Sequence, residues 1–474
     1  MAELVDARDL KSLGDNLCTS SILVPGTTDS KKDFKCFLKI LFKPFPEKHI
    51  QQKNNMDKIE IQGGNRLEGE VIISGAKNAA LPFIASSLLV DGKTMIANVP
   101  GLMDIKSILL LIQNLGAECE INKGNVMING ATVNSTKADY ELVRKMRASI
   151  LVLGPLVARF GHARVSLPGG CAIGARPVDL HLKALEALGA DIKIEHGYIE
   201  ANAERLTGSD IYFDTPTVTG TENIMMAATL ARGKTILRNS AREPEIPALA
   251  DALNAMGGDI RGAGTAIIEI NGVRSLSSAE IKVIPDRIEA GTYMVAAAAT
   301  RGDVVIKGCN PEHIGGIINK LRETGTKVDV SDNALRVKGV EKIKSVDIKT
   351  LPYPGFPTDM QAQFMALMTI ADSSSMIHET IFENRFTHAN ELLRMGADIS
   401  ISDGNYARVR GIEHLQGAQV MASDLRASAS LIIAGLIARG TTTINRVYHM
   451  DRGYDSIEKK FSELGADIKR IRTN

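Results

Sequence analysis

The stretch Leu188-Gly189-Ala190-Asp191 decides the fold, because close variants of it occur six times along the chain. The other five are centred on Gly116, Gly257, Gly325, Gly396 and Gly465. Successive glycines are 73, 68, 68, 71 and 69 residues apart, a regularity that is typical of a repeated supersecondary unit. Each glycine follows an amphipathic stretch and precedes an alternating one, so we expect it to end a helix in the left-handed conformation.

Alanine-rich segments repeat in step with these glycines. They are apolar on nearly every side, which predicts helices that are buried all round. They span residues 79–90, 148–160, 223–232, 289–301, 361–372 and 427–439. A turn and a β-branched strand follow each one, so every unit reads as helix, strand, helix, strand. Six units fill residues 56–474, and grouping them by three predicts two similar α/β domains with helices inside and sheets outside.

Composition excludes several classes of protein. The 474 residues are 44% hydrophobic and 23% charged, as in soluble globular proteins with large cores. A net charge of +1 argues against a general nucleic-acid or membrane-surface binder, and we find no apolar run long enough for a transmembrane helix. The five cysteines form no CxxC pair and the nine histidines no HExxH motif, so we expect no structural zinc, no disulfide framework and a reducing cytoplasm.

Residues 1–55 differ from the rest of the chain in showing no sustained apolar period. Glu3, Asp6 and Asp9 lie where a signal peptide would carry basic residues. We therefore interpret this segment as an N-terminal extension without a function of its own, or as the product of a start codon assigned too early, and take 56–474 as the functional protein.

Cations lie at the starts of three helices, where the helix dipole is already positive. Lys77, Arg147 and Arg426 occupy matching positions in units one, two and six. A cation is unfavourable there unless an anion binds too, so the three together predict a site for a multiply anionic ligand. For any one of them, the alternative is a solvated surface cation.

An insertion in unit two carries a cysteine among glycines. Pro168 lies 21 residues before Gly189, whereas Pro100 lies 16 before Gly116. Within the insertion, Pro177 fits the first position of a helix and places Arg176 at its cap. Such positive charge favours a thiolate at Cys171, which suits a nucleophile or an acid; the alternative is a small buried hydrophobic residue.

Asp359 follows a proline-rich turn in unit five, at the expected start of a helix. As an N-terminal capping carboxylate it would contribute about 1 kcal/mol to stability. As a general base it would have to reach a substrate hydroxyl within hydrogen-bond distance. The residues leave both interpretations open.

Six motifs in these departures from the repeat resemble those of the UDP-N-acetylglucosamine 1-carboxyvinyltransferases, the MurA family of enolpyruvyl transferases. They are Ser74–Pro82, Leu167–Pro177, Phe356–Gln363, Phe382–Phe386, Asp424–Ser428 and Asp451–Tyr454. The resemblance covers residues 56–474. It implies an α/β fold of two inside-out barrel-like domains, each with three units in pseudo-threefold symmetry.

The resemblance also implies the reaction: transfer of enolpyruvate from phosphoenolpyruvate to the 3′-hydroxyl of UDP-N-acetylglucosamine, with release of phosphate. This is the first committed step of peptidoglycan biosynthesis in bacteria. It implies a cytoplasmic monomer that needs no metal or organic cofactor and binds neither nucleic acid nor membrane. The domains would then be 56–75 with 286–474, and 76–285, with the active site in the cleft between them.

The family's functional residues carry over onto matching positions. Cys171 resembles the loop cysteine that protonates phosphoenolpyruvate, forms a covalent adduct and is alkylated by fosfomycin, and Asp359 resembles the general base. Lys77, Arg176 and Arg452 are implied to hold the substrate phosphate, with Arg385 and Arg426 near its carboxylate. The implied nucleotide contacts are Arg147, Arg176, Pro177, Val178, Asp179, Leu180, Thr217 and Thr219. The implied sugar contacts are Asn78, Asp359 and Ile381.

Two alternatives stay open. The sister enzyme that uses shikimate 3-phosphate shares the fold but lacks the Pro-Gly-Gly-Cys loop, so Cys171 counts against it. A catalytically inactive paralogue could bind the sugar nucleotide and act by regulation, although Lys77, Cys171, Asp359 and Arg452 are all present.

Overall fold

The computed structural model describes residues 57–169 and 178–472, and the predictions on 1–55, Cys171, Arg176 and Pro177 fall outside these ranges. Within them the strands are β1 (Lys58–Gln62), β2 (Glu68–Ile72), β3 (Lys93–Ala97), β4 (Glu118–Asn122), β5 (Asn125–Asn129), β6 (Lys137–Ala138), β7 (His162–Ser166), β8 (Asp191–Glu195), β9 (Tyr198–Asn202), β10 (Asp210–Tyr212), β11 (Lys234–Arg238), β12 (Asp259–Arg261), β13 (Ile267–Asn271), β14 (Glu280–Lys282), β15 (Asp303–Lys307), β16 (Lys327–Ser331), β17 (Ala334–Lys338), β18 (Ile348–Lys349), β19 (Ser374–His378), β20 (Asp398–Ser402), β21 (Tyr406–Arg410), β22 (Gln419–Met421), β23 (Thr441–Asn445) and β24 (Asp467–Ile471).

The α-helices of the described ranges are α1 (Lys77–Ser86), α2 (Met103–Asn114), α3 (Tyr140–Val143), α4 (Leu153–Phe160), α5 (Asp179–Ala187), α6 (Val218–Thr229), α7 (Glu245–Ala255), α8 (Arg287–Ala299), α9 (Gly315–Glu323), α10 (Gln361–Met368), α11 (Ala389–Arg394), α12 (Leu425–Ile437) and α13 (Ile457–Glu463). Short 3₁₀ segments cover Ser87–Leu89, Gly130–Thr132, Arg147–Val152, Pro311–Ile314, Thr358–Met360 and Val447–Arg452. Across these residues, no helix is both long and apolar enough to cross a membrane.

The strands form six four-stranded sheets that share one arrangement. Their orders are β14-β3-β5-β4, β6-β7-β9-β8, β10-β11-β13-β12, β2-β15-β17-β16, β18-β19-β21-β20 and β22-β23-β1-β24. In each, the first strand is parallel to the second and the other pairings are antiparallel. The sixfold repeat is therefore confirmed. In five of the sheets the last two strands of the order form a hairpin, whereas in the sixth β24 pairs with β1 from the other end of the described chain.

The predicted role of the repeated glycines is also confirmed. All six have positive φ, from 88° at Gly396 to 101° at Gly116 and Gly257. Each follows the C-cap residue of a helix; Gly116, for example, donates its N–H to the Gln113 carbonyl at 2.9 Å. Glycine adopts this left-handed conformation without the steric cost that a β-carbon imposes.

Five of the six alanine-rich helices are buried along nearly their whole length, as predicted, whereas α4 is buried only from Leu153 to Val157. In α8, every residue from Ile288 to Ala299 is buried, and α6 is buried from Gly220 to Thr229. The 148–160 segment differs from its prediction, because a 3₁₀ segment precedes α4. Pro155, near the start of α4, has no N–H to donate one turn back, which fits an α-helix that begins only at Leu153.

Residues 55–474 form one compact unit with two groups of buried hydrophobic residues. We call the group drawn from 76–283 core one, and the group drawn from 59–73 and 288–468 core two. Strands β1 and β2 belong to core two, since β1 pairs with β23 and β24, and β2 pairs with β15.

The two chain segments that connect the cores lie side by side. Gly75 bridges Pro285 in an antiparallel pairing, and the Ala76 N–H donates to the Ile284 carbonyl at 2.7 Å. In the opposite direction, the Asp286 N–H donates to the Ser74 carbonyl at 2.9 Å. Helices α1 and α8 begin directly after these segments, so the connection fixes the start of one helix from each core.

Candidate active site

Lys77 is the first residue of α1 and lies in a cluster of opposite charges. Its ammonium is 3.4 Å from Oδ2 of Asp104, and its N–H donates to Oδ2 of Asp286 at 3.4 Å. Asp104, in the first turn of α2, also accepts a 2.8 Å hydrogen bond from Nε of Arg452. The Asp104 carboxylate, only 5% exposed, thus holds together one cation from each core.

Burial lowers the pKa of the Lys77 ammonium, an effect that the Asp104 carboxylate opposes. The neighbouring cations Arg426 and Arg452 lower that pKa further. A lysine at the positive end of a helix, among other cations, is a costly arrangement in a protein without a ligand. It favours the binding of an anion.

Asp359 lies in the 3₁₀ segment before α10 and is held between two arginines. Its Oδ1 accepts a 2.9 Å hydrogen bond from Nη2 of Arg385, and its Oδ2 accepts one of 2.9 Å from Nη2 of Arg426. Both arginine side chains are almost fully buried. Although burial alone would raise the pKa of Asp359, the Arg426 and Arg385 guanidiniums hold that pKa well below its usual range.

A buried hydrogen-bond network supports Arg426. Its Nη1 donates to the Tyr454 hydroxyl at 3.3 Å, and that hydroxyl is 2.8 Å from Oγ1 of Thr292. Nε2 of Gln363 donates to both hydroxyls, at 3.4 and 3.2 Å. Asp424 caps α12 through the backbone N–H groups of Arg426 and Ala427, so both the backbone and the guanidinium of Arg426 are held by hydrogen bonds.

The rings of Phe382 and His388 lie next to Arg385. Its guanidinium lies 5.4 Å from the centre of the Phe382 ring, and the buried His388 ring lies close to its backbone. Burial lowers the pKa of His388 to about 4, so this imidazole is neutral near pH 7.

Residues at the starts of α5 and α6, among them Thr217 and Thr219, form a second cluster in core one. Thr217 caps α6 by accepting the Gly220 N–H at 3.2 Å, and the Thr219 hydroxyl is 3.3 Å from Nε2 of His181. His181, in the first turn of α5, also contacts Asn223 of α6 through Nδ1 at 3.0 Å. The starts of α5 and α6 are thereby joined.

His181 is neutral at physiological pH. Burial lowers its pKa to about 4, and the nearby Arg147 contributes further in the same direction. This places Arg147 close to the α5 start, which carries Asp179 and Leu180.

Helix α5 begins at Asp179, with Val178 at its N-cap, and the prediction that Pro177 is a first helical residue falls outside the described ranges. The implied sugar contacts Asn78 and Ile381 lie apart in the chain, on α1 and in the segment after β19. The structure gives no contact that brings these two side chains together.

Known proteins match nearly all of the described chain. A family model described as EPSP synthase (3-phosphoshikimate 1-carboxyvinyltransferase) matches residues 61–461. The UDP-N-acetylglucosamine 1-carboxyvinyltransferase of Desulforapulum autotrophicum is 72% identical over 417 residues, which are 88% of this chain and 100% of that protein. The protein of the same name from Geobacter metallireducens is 59% identical, with the same coverage.

The chain belongs to the UDP-N-acetylglucosamine 1-carboxyvinyltransferase family. Its relatives in that family are enzymes of the transferase class, and their full length is covered.

Solved structures agree on the fold of this family. The enolpyruvyl transferase NikO from Streptomyces tendae superposes with a TM-score of 0.79 at 25% identity, over 89% of this chain and all of that one. An EPSP synthase from Acinetobacter baumannii gives a TM-score of 0.69 at 20% identity, over 88% of this chain and all of that one. The α/β fold class is thereby confirmed. The low identity to EPSP synthase contrasts with 72% to the sugar-nucleotide relative, which places this chain with the latter.

Sequence reasoning missed two residues of the site. Asp104 follows the common pattern of an acid in the first turn of a helix, and its contact with Arg452 joins residues 348 positions apart. Tyr454 lies inside the motif Asp451–Tyr454, but the resemblance implied no role for it. Only its buried hydroxyl, shared with Thr292 and Gln363, reveals one.

Proposed function

We propose that this chain transfers the enolpyruvyl group of phosphoenolpyruvate to the 3′-hydroxyl of UDP-N-acetylglucosamine and releases inorganic phosphate. The observation that carries the proposal is the cluster of Lys77, Arg385, Arg426 and Arg452 around two carboxylates. These four cations come from both cores and lie where a small dianionic or trianionic substrate would replace the carboxylates as their partner.

Each cation suits one end of phosphoenolpyruvate. Lys77 and Arg452, together with Arg176, bind the phosphate, for which a compact ammonium and forked guanidiniums are well suited. Arg385 and Arg426 bind the substrate carboxylate through the Nη atoms that hold Asp359 in the unliganded protein. The cations also stabilise the charge that develops on the phosphate as it leaves.

Substrate binding changes what Asp359 can do. While Arg385 and Arg426 pair with it, its low pKa makes it a poor base. A substrate carboxylate that takes over these guanidiniums removes the charges that hold the pKa down, and the pKa of Asp359 rises. Asp359 then accepts the proton of the 3′-hydroxyl as the oxygen attacks C2 of phosphoenolpyruvate, so base strength develops only once the substrate is bound.

The remaining steps conserve protons. Cys171 donates a proton to the methylene carbon during addition, which yields a tetrahedral phosphate ester. The Cys171 thiolate then takes back a proton from the resulting methyl group, and cleavage of the C–O bond restores the double bond as phosphate leaves with the proton held by Asp359. Cys171 also forms the covalent substrate adduct and is the residue that fosfomycin alkylates.

The nucleotide binds in core one, in our proposal. Arg147, Arg176, Pro177, Val178, Asp179, Leu180, Thr217 and Thr219 contact it. The twelve-residue helix α6 presents its positive end next to Thr217, which suits a diphosphate. Asn78, Asp359 and Ile381 contact the sugar.

The two cores correspond in this proposal to two domains, 76–285 and 56–75 with 286–474, with the active site in the cleft between them. The protein acts as a cytoplasmic monomer in peptidoglycan synthesis. Residues 1–55 take no part in the reaction.

Phosphate release from phosphoenolpyruvate in the presence of UDP-N-acetylglucosamine tests the proposal, with shikimate 3-phosphate as the alternative acceptor. The full chain and a chain starting at Met56 should release phosphate equally with the sugar nucleotide, and fosfomycin should abolish release. K77A and R426A should abolish it too. Tight sugar-nucleotide binding without release would instead support a regulatory protein.

A further inference from the structure

Glu379 is a buried carboxylate that does not belong to the charge cluster of the candidate active site. It follows β19 directly and is 1% exposed. Its Oε1 accepts hydrogen bonds from the Ile381 N–H at 2.8 Å and the Phe382 N–H at 3.2 Å. The Thr350 hydroxyl donates to Oε1 at 2.9 Å, and the Thr358 hydroxyl donates to Oε2 at 2.9 Å.

These four donors belong to two segments that carry site residues. Thr358 immediately precedes Asp359, and the donors at 381 and 382 precede Arg385. A second pair of bonds ties the same segments: the Thr380 N–H donates to Oγ1 of Thr350 at 2.9 Å, and the Thr380 hydroxyl donates to the Thr350 carbonyl at 2.6 Å. Glu379 therefore connects the segment that carries Asp359 to the segment that carries Arg385.

The repeat shows that this arrangement is special to unit five. The residue directly after the corresponding strand has positive φ in four of the units. These residues are Asn98, Asn239, Gly308 and Arg446, with φ of 59°, 55°, 67° and 59°. Unit five places Glu379 there, without positive φ, and unit two places Leu167, which leads into the cysteine-containing insertion. This position has thus changed in the two units that carry the proposed acid Cys171 and the proposed base Asp359.

Glu379 acts as an acceptor and not as half of an ion pair. Among the residues that the structure describes, no lysine or arginine forms a salt bridge with it. A buried carboxylate without a cation is tolerated when several donors point at it, and here two hydroxyls and two backbone N–H groups do so. The side chain therefore fixes geometry at the junction of the two segments.

We propose that Glu379 is a positioning residue that sets the placement of Asp359 relative to Arg385 and Ile381 for enolpyruvyl transfer. This inference rests on the proposed function for its kinetic consequence, but its structural consequence is independent of activity. Phe382, whose N–H is bound by Glu379 and whose ring lies against Arg385, links the carboxylate to that guanidinium.

The test compares E379A, E379Q and T358V with T369V as a matched control. Thr369, like Thr358, is a threonine whose hydroxyl donates one hydrogen bond. It is fully buried in the same unit, it directly follows α10, and its partner is the Ala366 carbonyl in the last turn of that helix. We expect about a 10²-fold loss of kcat in E379A and about a tenfold loss in T358V, because small displacements of reacting groups are costly. E379Q should rescue kcat to within about threefold of wild type, since a glutamine oxygen keeps the backbone bonds and its amide can donate to Thr358.

The pH profile separates positioning from a general loss of stability. If Arg385 is displaced from Asp359, the pKa of Asp359 rises, so the acid limb of kcat/KM should move upward in E379A and T358V but not in T369V. Wild-type kcat and an unmoved acid limb in folded E379A would overturn the inference. So would an E379Q variant as impaired as E379A, since charge and not geometry would then matter.

Hydrogen exchange measures the structural consequence without any assay of activity. Amides of residues 380–386 should exchange at least tenfold faster in E379A than in wild type and be unchanged in T369V. Unchanged protection in E379A would overturn the inference even in an active enzyme. An inactive wild type with the expected exchange pattern would count against the proposed function while supporting the role of Glu379.

Discussion

Nε of Arg452 donates a 2.8 Å hydrogen bond to Oδ1 of Asp104, although Arg452 lies in the part of the chain that forms core two and Asp104 lies in the first turn of a helix of core one. The same carboxylate contacts Lys77 through its other oxygen. Two of the three cations that we propose bind the substrate phosphate are therefore held by one acid. This acid joins the cores and opposes the effect of burial, which lowers the pKa of Lys77.

Asp104→Asn should narrow the active pH range on its alkaline side. Asp104 raises the pKa of Lys77 against burial, so its loss lets that pKa fall further and the lysine loses its proton at lower pH. We expect the alkaline limb of kcat/KM for phosphoenolpyruvate to move down in pH. D251N, an exposed acid on α7, should leave the limb in place. An unmoved limb in D104N would contradict this role.

Arg426→Lys should weaken phosphoenolpyruvate binding more than it weakens nucleotide binding. The variant keeps the charge but loses the fork that contacts Asp359 and Tyr454 at once. We expect the KM for phosphoenolpyruvate to rise by about tenfold or more, as for one lost charge-assisted hydrogen bond, and the KM for the sugar nucleotide to stay within about threefold. The control is R408K on the exposed face of β21, which should match wild type. Equal effects on both KM values would indicate a general distortion of the site.

His181 should make the protein less stable in mild acid. Its folded pKa of about 4 lies below the usual value near 6.5, so the unfolded chain binds the proton first and stability falls as pH drops through this window. Between pH 7 and pH 4.5 this group should account for a fall of roughly 2 kcal/mol in the free energy of unfolding. Denaturant titrations at the two pH values should show a fall smaller by that amount in H181Q. An equal fall in both proteins would show that His181 is not buried as a neutral ring.

The repeated glycines allow a matched pair of substitutions. Gly116→Ala and Gly189→Ala both force alanine into the left-handed region, at φ of 101° and 92°, and each should lower the free energy of unfolding by about 1 kcal/mol or more. G116A should be the worse of the two, because its β-carbon would lie 2.6 Å from Oδ1 of Asn134, whereas open space surrounds that of G189A. Thermal or denaturant unfolding measures the difference. A neutral G189A would contradict the helix-ending role.

Local features of this fold could be predicted from the sequence, and long-range pairings could not. The glycine at the end of each second helix and the buried alanine-rich helices follow from spacing and composition within one unit. Strands β1 and β2 pair with strands of core two that lie more than 200 residues further along the chain. Val71 of β2, for example, pairs with Ile306 of β15. No local pattern encodes that pairing.

In the candidate site, too, local patterns predict individual residues but not their long-range partners. Lys77, Arg426 and Asp359 could be predicted because each departs from the repeat at a helix start. Their partners could not, since Asp359 meets Arg426 across 67 residues and Lys77 meets Asp104 across 27. Glu379 resembles any residue at the end of a strand until its four donors are seen together.

Mass analysis of the product, with both acceptors supplied in competition, tests the central claim most directly. The account predicts that UDP-N-acetylglucosamine gains one enolpyruvyl group for each phosphate released, that shikimate 3-phosphate gains none, and that R385A forms little product of either kind. Enolpyruvyl shikimate phosphate as the main product, or phosphate release without a modified sugar nucleotide, would contradict it.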